Sequence, residues 1–172
     1  MKKREFKKKK REFDKASKEI KEKRKEIETN SVEFIERAKI LLRIDKEFGV
    51  NWSLGIESNV VGLVSLENNC ILLNYEFIEK KFDDMETLKK IIAFSIARNC
   101  FLKHILEKGT IPENVFFELV EDQNSILTKR SIAFANVFLE MYDENLKIFD
   151  NEDKEWQEEC ISFEERIREE FF

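Results

Sequence analysis

Residues 91–106, "IIAFSIARNCFLKHIL", form a segment that would be apolar around most of the circumference of a helix. Its polar exceptions, Ser95, Arg98 and Asn99, fall within about a third of that circumference at about 100° per residue. A helix of this kind has to be buried on most of its sides. The rest of the chain must therefore fold around it and supply partners for the polar side chains.

The composition can supply that surface, since 42% of the 172 residues are apolar and 16 are Phe. These values exclude a wholly disordered chain. One Pro and four Gly favour long helices over many tight turns. No apolar run reaches the ~18 residues of a membrane-spanning helix, and the charged N-terminus does not resemble a secretory signal. Three widely spaced cysteines, Cys70, Cys100 and Cys160, fit a reducing compartment, so we expect a cytoplasmic protein without membrane contact.

The periodicity predicts a helix first, then strands, then more helices. Asn30, with Glu33 three residues later, is the predicted start of a helix that reaches residue 48. Strands are predicted within 51–57, 60–67 and 70–75, and further helices over 84–108 (with Asp83 as N-cap), 113–122, 126–148 and 151–170. This order predicts a mostly helical α+β fold with a small antiparallel sheet packed against helices and a long charged N-terminal helix.

The net charge of −5 conceals a strong asymmetry. Residues 1–30 contain 14 Lys and Arg against 7 Asp and Glu, whereas residues 142–172 contain 12 acids against 4 bases. We therefore predict three parts: a basic helical arm (1–30), an α+β domain (31–150) and an acidic amphipathic C-terminal helix (151–172). The two charged ends are either solvated separately or attract each other, within one chain or between chains.

Apolar residues recur every seven positions along the arm and beyond it, at Phe6, Phe13, Ile20, Ile27, Phe34, Leu41 and Phe48. The second apolar position of each heptad is missing early on, so a coiled coil of ordinary strength is not expected. Basic residues interleaved with aromatics can contact phosphates and stack on bases. The candidate contacts with nucleic acid or a protein partner are Lys2, Lys3, Arg4, Phe6, Lys7, Lys8, Lys9, Lys10, Arg11 and Phe13.

Three short motifs, one in a predicted strand and two in predicted helices, follow one another along the chain. The strand "CILLN" precedes a helix containing Phe94-Ser95-Ile96-Ala97, and a later helix contains "FANVFL" from Phe134. This order resembles the ImmA/IrrE-type zinc metallopeptidases, which cleave phage repressors and stress regulators. In that family an I-x-I-N-like strand precedes F-[ST]-[LIV]-A-H-E-x-x-H, and a later helix carries E-A-x-x-F-A-x-x-L-L-M. The resemblance covers about residues 32–148 and implies a zincin-like domain.

The residues that would carry the chemistry differ from the family pattern. Arg98 and Leu102 stand at the two histidine positions, Asn99 stands at the general base, and the acidic ligand falls at or near Arg130. Zinc requires neutral imidazole or anionic donors, and an amide cannot take a proton from water. The resemblance thus implies a pseudoenzyme without catalytic residues, metal or cofactor. Its family setting suggests a regulator or inhibitor from a phage or mobile element that binds another protein.

Two interpretations of the polar arc remain open. Arg98 can form a salt bridge that fills the vacated cleft, for instance with Glu118 or Glu121. Alternatively, Ser95, Arg98, Asn99 and Arg130 form a polar pocket for an anionic ligand.

The chain's one histidine, His104, lies four residues after Cys100 and could share a helix face with it. His104 would lie about 160° around the helix from position 102, away from the family's metal site. We therefore predict a buried cysteine and a histidine at the margin of the helix.

The core is predicted to contain Phe94, Ile96, Ala97, Phe101, Leu102, Ile105, Phe134 and Phe138, packed against the strands. Two functions follow as hypotheses: protein–protein interaction, with self-association as one form of it, and nucleic-acid association through the arm. An enzyme with an unrecognised site has no motif in its favour.

Overall fold

The computed structural model describes residues 2–56, 60–141 and 147–172, and in these ranges it contains seven helices and one three-stranded sheet. The elements are α1 Lys2–Leu42, β1 Gly49–Ser53, β2 Gly62–Ser65, β3 Cys70–Asn74, α2 Tyr75–Glu79, α3 Met85–Glu107, α4 Glu113–Glu121, α5 Ile126–Glu140, α6 Lys154–Ser162 and α7 Glu164–Phe171. The mostly helical α+β fold class is confirmed. No helix of the described residues is both long and apolar enough to span a bilayer.

Helix α1 runs without a break through the predicted helix start at Asn30, so that prediction is wrong. The reason lies in the direction of the polar side chains. Asn30 Nδ2 donates to the Glu26 carbonyl at 3.1 Å, and Ser31 Oγ donates to the Ile27 carbonyl at 2.7 Å. Side chains that bond back to the preceding turn do not cap a new helix.

The sheet is mixed rather than antiparallel, with strand order β1-β3-β2. A tight turn, in which Asn69 has φ 48°, folds β2 back antiparallel to β3, as the sequence predicts. However, β1 pairs with β3 in parallel, from Gly49 opposite Cys70 to Ser53 opposite Asn74. The physical reason is that β3 is the most apolar strand and takes the central position, while β1 stays beside α1, where Trp52 Nε1 donates to Glu28 at 2.9 Å.

The core is centred on α3, which packs against α1, α5 and β2. Every residue of the predicted core set is buried, so that prediction is confirmed. The Phe101 and Phe134 rings stack with their centroids 5.1 Å apart, which joins α3 to α5. Helix α3 begins one residue later than predicted, because Asp84 and not Asp83 caps it through the Thr87 amide.

The C-terminal part differs from the sequence prediction in two places. Helix α5 ends at Glu140, and residues 147–149 are not helical; the predicted stretch 142–146 lies outside the described residues. The predicted helix 151–170 is divided at Phe163, whose amide donates to the Cys160 carbonyl at 3.2 Å, three residues back. Both halves, α6 and α7, pack on α5.

Candidate functional site

The polar arc of α3 lies next to the edge strand β2. Asn99 Nδ2 donates to the Ser95 carbonyl at 2.8 Å, to Ser95 Oγ at 3.3 Å and to the Gly62 carbonyl at 3.5 Å. Gly62 opens β2, and a Cβ atom there would lie 3.0 Å from Ser95 Oγ and 3.3 Å from the Leu72 carbonyl oxygen. The strand therefore approaches the helix so closely that this part of the arc is filled by protein atoms.

Arg98 extends from the same arc toward α5 and the C-terminal segment. Its Nε donates to Ser131 Oγ at 3.2 Å, and its Nη1 forms an ion pair with Asp150 Oδ2 at 2.6 Å. Ser131 Oγ in turn donates to the Thr128 carbonyl at 2.7 Å. The salt bridge of Arg98 predicted from the sequence is therefore present, but its acidic partner is Asp150 and not Glu118 or Glu121.

Asp150 is held in place by the fully buried side chain of Asn136. Asn136 Nδ2 donates to the Ile148 carbonyl at 2.9 Å, and the Ile148 amide donates to Asn136 Oδ1 at 2.8 Å. Both ends of the amide are thus used to fasten the segment before Asp150 onto α5. The roles of Ser131, Asn136 and Asp150 could not be predicted from the sequence, because Asn136 fills a variable position of the quoted motif and the other two lie outside it.

Arg130 belongs to a different cluster. Its guanidinium lies 5.7 Å from the centroid of the Phe101 ring, and its Nη2 is 3.4 Å from Glu170 Oε2. Glu170 also lies 3.9 Å from Lys108 Nζ. The two arginines of the predicted polar pocket therefore pair with separate acids, Asp150 and Glu170.

Leu102, which the sequence resemblance would place at the second histidine position, is buried with 3% of its surface exposed. Among the described residues, no group of three or more His, Cys, Asp or Glu side chains could hold a metal ion. The chemistry that the arc offers is that of a cationic guanidinium with two acceptors, Ser131 and Asp150.

Cys100 and His104 lie in unlike environments. Cys100 is fully buried, and burial raises the pKa of its thiol, so it stays protonated. The His104 ring is hydrogen-bonded to the backbone of Leu42 and lies edge-on to Phe171, with centroids 5.6 Å apart. Burial, followed by the nearby charge of Lys108, lowers the pKa of His104, so its ring is neutral at neutral pH.

A second candidate site is the N-terminal part of α1. The exposed fraction of the apolar stripe is 71% at Phe6, 73% at Phe13 and 40% at Ile20, and falls to 1% at Ile27. The side chains of Lys2 and Lys3 lie outside the described part of the structure. The candidate contacts from Arg4 to Phe13 are all exposed on one continuous helix.

The arm meets the sheet at Arg24. Its guanidinium lies 5.7 Å from the centroid of Trp52 and 5.3 Å from that of Tyr75, and its Nε is 3.1 Å from Glu28 Oε1. Two residues further on, Glu26 forms an ion pair with Lys89 of α3. The helix is therefore anchored from about residue 24 onward and projects before that point.

Comparisons with known proteins found no match to this chain among family models, curated proteins or solved structures.

Proposed function

We propose that this protein is a catalytically inactive, metallopeptidase-like protein that acts by binding another protein, as a regulator or inhibitor in a phage or mobile element. The observation that carries the proposal is that an arginine with two hydrogen-bonded partners occupies position 98. There the family places a zinc-binding histidine, whereas Arg98 is engaged with Ser131 and Asp150. A guanidinium at that position would repel a metal cation and has no lone pair to give to it.

The two neighbouring positions support the same conclusion. Leu102 has no lone pair to give to a metal, and its side chain is part of the core. Asn99 carries an amide, which cannot take a proton from water, and its Nδ2 group donates hydrogen bonds to Ser95 and Gly62. The zincin-like fold itself remains part of the proposal and rests on the sequence resemblance.

Metal analysis of protein purified without an affinity tag tests the proposal, together with a peptidase assay on a denatured-protein substrate. We expect neither zinc nor cleavage, and one zinc per chain that survives dialysis would overturn the proposal. The matched control restores the family pattern in the variant Arg98→His, Asn99→Glu, Leu102→His, Arg130→Glu. If this variant folds by circular dichroism, we expect it to bind zinc where the natural sequence does not.

The exposed arm supports action by protein binding. A helix that projects from a domain with an apolar stripe along it leaves surface that another molecule can cover. Three free, buried cysteines are consistent with the reducing cytoplasm, where we place the protein.

The alternative function is association with nucleic acid through the arm. It is favoured by eight Lys or Arg among the first eleven residues, with Phe6 and Phe13 beside them. Six to eight phosphate contacts would give a log–log salt dependence of roughly −4 to −7. We expect only weak binding even at low salt, because acidic C-terminal residues, opposite in charge, compete with phosphates for the arm. Tight binding with that slope, lost on deletion of residues 2–13, would favour this alternative instead.

A further inference from the structure

The positive charge of the arm is confined to its tip. Residues 2–11 hold eight bases and one acid, a balance of +7, whereas residues 12–30 hold six bases and six acids and balance to zero. On the helix, Phe6, Lys9, Lys10 and Phe13 follow one another at spacings of three, one and three, so they share one face. The tip therefore presents two aromatic rings with two cations between them.

A complementary face lies at the other end of the chain. Glu165 and Glu169 lie four residues apart on α7, and Phe172 follows three residues later, directly after the helix. All three are exposed, Phe172 by 47% of its surface. The neighbouring acids are already engaged: Glu164 pairs with Lys147, and Glu170 with Lys108 and Arg130. Glu165 and Glu169 have no ion pair within the described ranges. This face thus carries two uncompensated carboxylates beside an aromatic ring.

The two faces cannot meet within one molecule. The end of α1 is close to α7, since Leu42 and Phe171 line the same surface cavity. Helix α1 is continuous, so Lys9 lies about 50 Å along its axis from Leu42 at about 1.5 Å per residue. A straight helix holds the basic tip away from the acidic face of its own chain.

Pairing of two arms with each other is not favoured by charge. Two parallel arms would place +7 beside +7, whereas an antiparallel pair would place each tip beside residues 12–30, whose charges balance to zero and do not attract it. The single apolar residue per heptad buries too little to hold either pair together. The favourable arrangement is arm against acidic face.

We propose that the protein forms a two-fold dimer in which the Phe6–Lys9–Lys10–Phe13 face of each arm lies on the Glu165–Glu169–Phe172 face of the second copy. With the two α1 helices antiparallel, one symmetry operation makes both contacts and closes the assembly. Each contact is small, but the second one forms within an assembled pair, which raises its effective concentration. The inference rests on the proposed use of the arm for protein binding and names its partner.

Light scattering after size-exclusion chromatography measures the mass against the 20.7 kDa of one chain. At low salt we expect twice that mass, with dissociation at high salt because the contacts are ionic and exposed. The variants Lys9→Glu/Lys10→Glu and Glu165→Lys/Glu169→Lys should each be monomeric. An equimolar mixture of these two variants should form a heterodimer, since every arm then meets a face of opposite charge.

The matched control is Arg4→Glu/Arg11→Glu, which changes the charge of the tip by the same amount on the opposite side of the helix. We expect it to remain dimeric. A monomeric natural protein at low salt, or a mixture that stays monomeric, would overturn the dimer and leave other protein partners for the arm. Tight duplex or single-strand binding by that monomer, weakened equally by both arm variants, would overturn protein binding by the arm as well.

Discussion

The Arg98 guanidinium and the Asp150 carboxylate meet at 2.6 Å although 52 residues of sequence separate them. The pair joins α3 to the segment that follows α5. It is partly shielded, with 21% of the Arg98 side chain and 40% of the Asp150 side chain exposed. Its contribution to stability should therefore lie between that of a buried pair and that of a surface pair.

A double-mutant cycle with Arg98→Met and Asp150→Asn should give a coupling energy of about 1 kcal/mol. Urea unfolding of the four proteins measures it. The exposed pair Lys8–Glu12, at 4.0 Å on the arm, is the control and should show no measurable coupling. Additive effects of the Arg98 and Asp150 substitutions would mean that the ion pair contributes nothing to folding.

Two residues of α3 differ in burial and should differ in their contribution to stability. Phe101 is fully buried against Phe134, whereas His104 is only partly buried. Phe101→Ala should cost about 3–5 kcal/mol, as large-to-small core substitutions do. His104→Ala should cost much less. Thermal melts that rank the two substitutions the other way would contradict the orientation of α3 in which Phe101 faces the core and His104 lies at its margin.

His104 should titrate below its ordinary pKa of 6.5, because burial disfavours the charged ring. The imidazole C2 proton in NMR gives this pKa without ambiguity, since the chain has one histidine. The unfolded chain takes up the proton more readily, so this contribution to stability is present above pH 6.5 and is lost as the pH falls.

His104→Gln should remove that component of the acid sensitivity. Lys108→Gln should raise the pKa of His104, since the Lys108 charge is the second cause of its depression. A pKa at or above 6.5 in the natural protein would contradict the buried environment of the ring.

The close approach of β2 to α3 predicts a difference between two glycines. Gly62→Ala should destabilise the fold by about 1–3 kcal/mol, because the added Cβ meets Ser95 and the backbone of Leu72. Gly49→Ala is the control: its Cβ would have its nearest contact at 3.9 Å, and the change should stay within about 0.5 kcal/mol. Equal effects in chemical unfolding would place Gly62 in more open surroundings.

The sequence predicted the structure well where a periodic pattern was compatible with only one arrangement. An apolar circumference left α3 no position except the centre, and its core residues could be predicted individually. The end of α3 was also predictable, since Gly109 has the positive φ of 65° that stops a helix. The division of the last helix at Phe163 was not, because the apolar spacing is the same on both sides of it.

Features that depend on the surrounding structure rather than on a local pattern were not predicted, for a related reason. Asn30 is as good a helix cap as any by residue type, and only the chain around it decides that its side chain bonds back to Glu26. The pairing of Arg98 with Asp150 depends on Asn136 fastening a segment that no local pattern places. The parallel pairing of β1 depends on which strand becomes central, which is a property of the whole sheet.

Because α1 is one continuous helix from the tip of the arm to the core, the direction in which the Phe6–Phe13 face points is fixed relative to the domain. Each residue inserted between positions 22 and 24 would turn the Phe6–Phe13 face by about 100° and move it outward by about 1.5 Å. An insertion of seven residues would return the face to within about 20° of its original direction. The arm can therefore lengthen in steps of a heptad and keep its orientation, whereas a single insertion or deletion turns its aromatic face away from whatever it contacts.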